Sequence, residues 1–201
     1  MKRYFVETNG YNMVAFVGTD SLAKTTLFKI LMGEIEPDEG EFKWGVTTSQ
    51  SYFPSDNSEF FEGCEDSLID WLRRYSDLIF ESDVRGWLGR MMFSGEEATK
   101  KAKVLSGGER SRLAMIRLLL EPCNLLILDE PTAVLTPQET QKLFSVLRKM
   151  RDDGKSIIII THKLHEVLSL SDKVAVLRKG EYVGTINTAE ADESILTEMM
   201  V

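Results

Sequence analysis

Three apolar runs in this chain stop abruptly at polar residues. Met13–Val17 (MVAFV) ends at Gly18, Leu125–Leu128 (LLIL) at Asp129 and Ile157–Ile160 (IIII) at Thr161. Short runs that are apolar at every position fit parallel strands buried on both faces. Helical spacing fills the intervals. Thr25–Met32 turns Leu27, Ile30 and Leu31 inward, Arg110–Leu120 reads as a helix, and Gln138–Arg151 lines up Leu143, Val146, Leu147 and Met150. Pro37–Gly40 reads as a turn, and Glu41–Trp44 and Ser49–Phe53 as short strands on either side of Gly45. Val174–Leu177 and Tyr182–Ile186 read as strands around a Lys179-Gly180-Glu181 turn, and Glu190–Met200 as a last helix. Alternating strands and helices predict an α/β fold whose parallel sheet core is covered by helices, with a small antiparallel β part. In such sheets the chemistry sits at the carboxyl ends of the strands.

From about Ser58 to Lys103 the pattern changes. Aromatic and charged residues interleave at helical spacing: Leu68, Trp71, Leu72, then Val84, Trp87, Leu88 and Met91. This predicts a helical lobe over about 58–112, inserted in one domain spanning 1–201, with the aromatic stripe as lobe core. A hydrophobic content of 43% over 201 residues suffices for one sizeable core with such a lobe. The net charge of -8 disfavours general nucleic-acid binding and attraction to anionic membranes. Cys64 and Cys123 are too few for a disulfide framework and read as reduced thiols. The most apolar stretch, Ile116–Leu128, is broken by Glu121, Pro122 and Asn124, and no apolar signal-type segment follows Met1. A cytoplasmic protein without direct membrane insertion is expected.

Two clusters carry the candidate chemistry. Gly18-Thr19-Asp20-Ser21-Leu22-Ala23-Lys24-Thr25, continuing into Thr26, fits the phosphate-loop pattern GxxxxGK[ST] except that Ala23 replaces its second glycine. It leaves a strand and opens a helix, so backbone N–H groups face an anion. Lys24 is then placed for the β- and γ-phosphates and Thr25 for Mg²⁺. A requirement for positive φ at position 23 would strain Ala23, and Asp20 would repel phosphate unless it points away. The second cluster is Asp129-Glu130 at the end of LLIL: Asp129 to hold Mg²⁺, directly or through water, and Glu130 to act as general base.

Between them stands Leu105-Ser106-Gly107-Gly108-Glu109, and after them Ile159-Ile160-Thr161-His162. In this order the motifs resemble the ATP-binding-cassette (ABC) ATPases. The resemblance implies a P-loop NTPase that binds ATP and Mg²⁺ and hydrolyses ATP. It further implies that two copies pair head to tail, with Ser106, Gly107 and Gly108 of one binding the γ-phosphate held by the other. His162 would contact the γ-phosphate and orient the attacking water as a catalytic residue beside the general base Glu130 in the family's scheme, while His165 would lie on the surface. The family's glutamine ligand of Mg²⁺ is either Gln50 or the position held here by Ser55. Thr136 stands where the family usually places Asp.

The resemblance has two parts. AFVGTDSLAKTTLFKILMGE and neighbouring phrases as far as about Ser106 are similar to the second cassette of ABC-F translation factors. LLILDEPTAVLTPQET and the text after it are similar to sugar and nucleoside importers. A chimera with a seam near Ser106–Arg112 is one expectation, with membrane subunits of a transporter or the ribosome as partners. A rival expectation is a folded scaffold with weak or no ATPase activity. Tyr4 and Phe5 are the candidates to stack on adenine, but only 17 residues precede Gly18 and Phe5 reads as part of a strand, so weakened adenine affinity is expected.

Overall fold

A computed structural model describes residues 13–77 and 80–201. Tyr4 and Phe5 therefore lie outside the described residues. The chain divides into two compact units. The first comprises the described residues up to Tyr52, Cys123–Glu130 and Arg148–Val201; the second comprises Phe53–Pro122 and Pro131–Leu147.

The first unit is built on a six-stranded sheet in the order β2-β3-β4-β1-β5-β6. The strands are β1 Met13–Val17, β2 Gln50–Phe53, β3 Leu125–Asp129, β4 Ser156–Ile160, β5 Lys173–Arg178 and β6 Glu181–Asn187. β1 pairs in parallel with β4 and β5, and β3 with β4, while β5 and β6 form an antiparallel hairpin. All five residues of β1 and of β3 are buried, as consecutive apolar positions require of strands covered on both faces. On one face Val14, Phe16, Ile127, Ile158 and Leu177 pack with Phe28 of helix α1 (Ser21–Leu31). On the other, Ala15, Val17, Val174 and Val176 pack with Val167 of α6 (Leu164–Leu170) and Leu196 of α7 (Glu193–Met200). The period-two division of each strand thus decides which helix it meets.

Several elements differ from expectation: α4 (Gly107–Leu120) begins at Gly107 and α7 at Glu193, each three residues from the predicted start. α1 begins at Ser21, four residues before the predicted Thr25, because the Asp20 carboxylate caps it. Glu41–Trp44 forms no strand; the Trp44 indole instead donates to the Leu31 carbonyl at 3.0 Å. That bond answers an acceptor at the end of α1, where the last carbonyls lack helical partners.

The second unit is helical: α2 Leu68–Arg73, α3 Glu81–Arg90, α4 Gly107–Leu120 and the start of α5, Pro137–Asp152. Trp71 is buried, stacks on Phe61 with centroids 5.1 Å apart, and donates its indole N–H to the Phe60 carbonyl. Its ring therefore has no free face for a ligand, and it serves as core. Arg112 ties this unit together. Its guanidinium donates to the Met91 and Met92 carbonyls at 2.8 and 3.1 Å, lies over the Phe93 ring, and pairs with Glu139 at 3.0 Å.

Gly18 illustrates how closely β1 and β5 approach. A Cβ there would lie 2.6 Å from the Leu177 carbonyl oxygen, which is backbone and cannot rotate away. Gly18→Ala is expected to lower unfolding stability by about 1–3 kcal/mol, through overpacking. Urea denaturation of the two proteins measures this.

Candidate active site

Register brings the phosphate loop, Asp129-Glu130 and His162 to one edge of the sheet. Phe16 pairs with Ile160, Asp129 with Ile160, and Val17 with Val176. The strands run parallel, so Gly18, Asp129, Thr161 and Leu177 all leave from the same carboxyl edge.

The phosphate loop lies at the start of α1. Ala23 sits inside this helix and is absent from the residues with positive φ, so the backbone there accepts alanine without strain. Asp20 is the N-cap, and its Oδ1 accepts the Ala23 N–H at 2.9 Å. The carboxylate thus folds back on the loop and occupies an N–H of the cradle itself. Thr19, Ser21 and Leu22 are exposed, and Thr26 is half-buried. Lys24 has no exposed surface, and its Nζ donates to the Gly18 carbonyl at 3.1 Å. Burial pulls the Lys24 pKa down, against the opposing fields of Glu130, Asp129 and Asp20.

Asp129 is fully buried at the end of β3. Its Oδ2 accepts the Thr25 hydroxyl at 2.7 Å and the Tyr52 hydroxyl at 3.4 Å. Burial raises the Asp129 pKa, partly offset by the Thr25 bond. Glu130 adopts φ 47, the left-handed region that side chains other than glycine seldom occupy. In that conformation its Oε1 lies 3.0 Å from His162 Nδ1. Asp129 Oδ1 and Glu130 Oε2 are buried and have no hydrogen-bond partner among the described residues. Buried carboxylate oxygens of this kind are costly unless something fills their lone pairs. With the Thr25 hydroxyl beside them they form a hard, all-oxygen donor set that fits Mg²⁺ and a water. Among the described residues no group of three or more His, Cys, Asp or Glu could hold a metal, so a cation here would need further ligands from phosphate or water.

Gln50 does not join this group. Its neighbour Ser49 bonds Asn124 and Leu125 at the amino end of β3, whereas Asp129 closes the carboxyl end. Four residues of strand separate the two ends, about 13 Å. Sequence reading missed Tyr52, two residues further along β2. Its alternation with buried Ser51 and Phe53 was the available signal.

In the second unit Ser106 caps α4 through a reciprocal pair: Glu109 N–H to Ser106 Oγ at 3.3 Å, and Ser106 N–H to Glu109 Oε2 at 2.8 Å. Burial would raise the Glu109 pKa, but the Ser106 bonds and Lys100 outweigh it and hold the carboxylate ionised. Gly107 stands in open space, while a Cβ on Gly108 would lie 3.1 Å from the Val134 carbonyl oxygen. Thr136 exchanges the same kind of bonds with Glu139, capping α5. Threonine at that position keeps the capping oxygen. Ser55 and His165 are exposed.

An α/β sheet with a phosphate loop and a strand-end Asp-Glu pair at one edge defines a nucleotide-binding domain. Comparison with known proteins gives the family. The ABC transporter family model matches residues 6–133, and the chain belongs to this family. It is 60% identical to YkpA, an ABC transporter ATP-binding protein of Bacillus subtilis, over 62% of this chain and 23% of that protein. It is 34% identical to the glucose import ATP-binding protein TsgD13 of Haloferax volcanii, over 92% of this chain and 42% of that one. The archaeal ribosome recycling factor aABCE1, solved in complex with the ribosomal stalk protein aP1, superposes with a TM-score of 0.76 at 19% identity, covering 90% of this chain and 40% of that one. The chain thus spans less than half the length of each. No helix among the described residues is long and apolar enough to cross a membrane.

Two outcomes follow from the site's strain and charge. Glu130→Gly is expected to be more stable than Glu130→Ala by about 1 kcal/mol, the reverse of the usual order, because only glycine relaxes at φ 47. Thermal unfolding of the pair measures this. Asp129 has a raised pKa, so its ionised form costs stability above the folded pKa. That cost is relieved as pH falls through the folded value toward the unfolded one near 3.9. Without nucleotide or Mg²⁺, Asp129→Asn should therefore melt higher than the parent at neutral pH, with the advantage shrinking as pH falls through the raised folded pKa and gone below about pH 4.

Proposed function

We propose that this chain is a nucleotide-binding domain that binds MgATP and hydrolyses it to ADP and phosphate, with two copies paired head to tail. The observation that carries this reading is the meeting of Thr25, Asp129, Glu130 and His162 at the sheet edge, with two buried carboxylate oxygens left without partners. In this reading the α1 amino terminus and Lys24 bind the phosphates, as the family motif implies. Thr25 and Asp129 hold Mg²⁺, which when bound neutralises charge on the phosphates. Glu130 accepts a proton from the attacking water through Oε2. The water oxygen bonds to the γ-phosphorus, the bond to the β–γ bridging oxygen breaks, and ADP and phosphate leave. His162, on Oε1 of the same carboxylate, fixes its orientation and senses the γ-phosphate.

Ser106–Gly108 of one copy completes the site of the other, so a lone copy binds ATP but turns over slowly. The helical lobe over about 58–112 is an insertion within one such domain. Among the relatives are an import ATP-binding protein and a ribosome recycling factor, and this supports a place in a larger assembly with a transporter's membrane subunits or the ribosome as partner, on the cytoplasmic side.

The test combines binding and turnover. Glu130→Gln should retain MgATP binding while phosphate release falls by 10²-fold or more, roughly the contribution of a general base. Lys24→Ala should lose binding. In the parent, specific activity should climb with protein concentration; a flat profile would overturn the paired arrangement.

A further inference from the structure

The turn joining β5 and β6 is tight. Arg178 pairs with Glu181, leaving a two-residue loop of Lys179 and Gly180. Both have positive φ, 51 and 79 respectively, which is the geometry of a type I′ hairpin turn. The first position of such a turn favours Asn, Asp or Gly, and lysine there is held in an unfavourable backbone conformation. An outlier of this kind invites a functional explanation.

The location supplies one. The turn abuts the phosphate loop at two places. Gly18 lies against the Leu177 carbonyl, with a Cβ position only 2.6 Å away, and a Cβ on Gly180 would stand 4.0 Å from that of Ala23. Adjacent Cα atoms are about 3.8 Å apart, so the Lys179 backbone is one residue step from this contact. A flexible four-carbon stem then gives its ammonium several ångströms of reach. Lys179 is exposed and has no ion-pair or hydrogen-bond partner among the described residues.

The electrostatics favour a cation at this position. The ammonium of Lys24 feels three acids, Glu130, Asp129 and Asp20, and Asp20 itself caps the loop. The charged side chains that act on Lys24 are thus all acidic, and they stand there before any phosphate arrives.

We propose that Lys179 is a second cationic contact for the nucleotide's phosphates, brought to the side of the phosphate loop at Ala23 by the β5–β6 turn. The inference rests on the nucleotide-binding reading above. It makes Lys179 a residue of affinity; it has no part in the proton transfer.

Lys179→Asn separates this role from a structural one, because asparagine suits the turn better than lysine while removing the charge. MgATP binding is measured by calorimetry at low and high salt, beside the melting temperature, for the parent, Lys179→Asn, Lys179→Arg and Lys24→Ala. Lys179→Asn is expected to melt no lower than the parent yet bind MgATP about fivefold more weakly at low salt. The difference should shrink at high salt, as screening dictates for an exposed charge. Lys179→Arg should bind like the parent. An unchanged Kd in Lys179→Asn, or an equal loss in Lys179→Arg, overturns the assignment while Lys24→Ala still loses binding. A parent that binds no MgATP overturns this assignment and the nucleotide-binding reading together.

Discussion

Parallel pairing of β3, β4, β1 and β5 is the constraint from which the rest follows. Parallel strands must be covered on both faces, and this chain meets the requirement with α1 on one side and α6 and α7 on the other. It also forces these four strands to end at the same edge, where backbone groups leave the ladder and seek other partners. Each solution there places something chemically useful. The Glu130 N–H reaches back to the Ile160 carbonyl, and the Thr161 N–H to Phe16. Gly18 turns without a side chain because the Leu177 carbonyl leaves no room for one. The same geometry that closes the sheet gathers a lysine, a threonine, two carboxylates and a histidine.

That gathering carries an energetic cost. The edge contains a fully buried ammonium, a fully buried carboxylate, a glutamate in a left-handed conformation and two carboxylate oxygens without partners. Such features survive where surrounding structure over-determines them, and they concentrate where a ligand supplies what is missing. The second unit solves its local problems differently. Ser106–Glu109 and Thr136–Glu139 are reciprocal caps on α4 and α5, and Arg112 satisfies two loop carbonyls and Glu139 at once.

The sheet was legible in sequence because β1, β3 and β4 are apolar at every position, a pattern fixed by two-sided burial. The order of Lys24, Ser106–Gly108, Asp129-Glu130 and His162 was legible because each motif is short and local. What escaped was set by neighbours distant in the chain. Ala23 raised a concern about φ that vanished once Asp20 extended α1 backwards. Gln50 and Ser55 were the alternatives for the family's glutamine, whereas it is Tyr52 of β2 whose hydroxyl reaches Asp129. Glu41–Trp44 lost its strand to a single indole bond at the end of α1. Backbone angles at Glu130 and Lys179 leave no mark in composition or periodicity.

The tryptophans divide between the two units in a way that has an optical consequence. Trp44 belongs to the first unit, half-buried and bonded to the end of the helix that carries the phosphate loop. Trp71 belongs to the second, stacked on Phe61 and 1% exposed, with Trp87 beside Arg90. Intrinsic emission is thus a two-channel signal. Replacing Trp44 with phenylalanine leaves tryptophan emission only from the helical unit, and replacing Trp71 and Trp87 leaves it only from the sheet unit. Each unit can then be followed by its own fluorescence, without an added label.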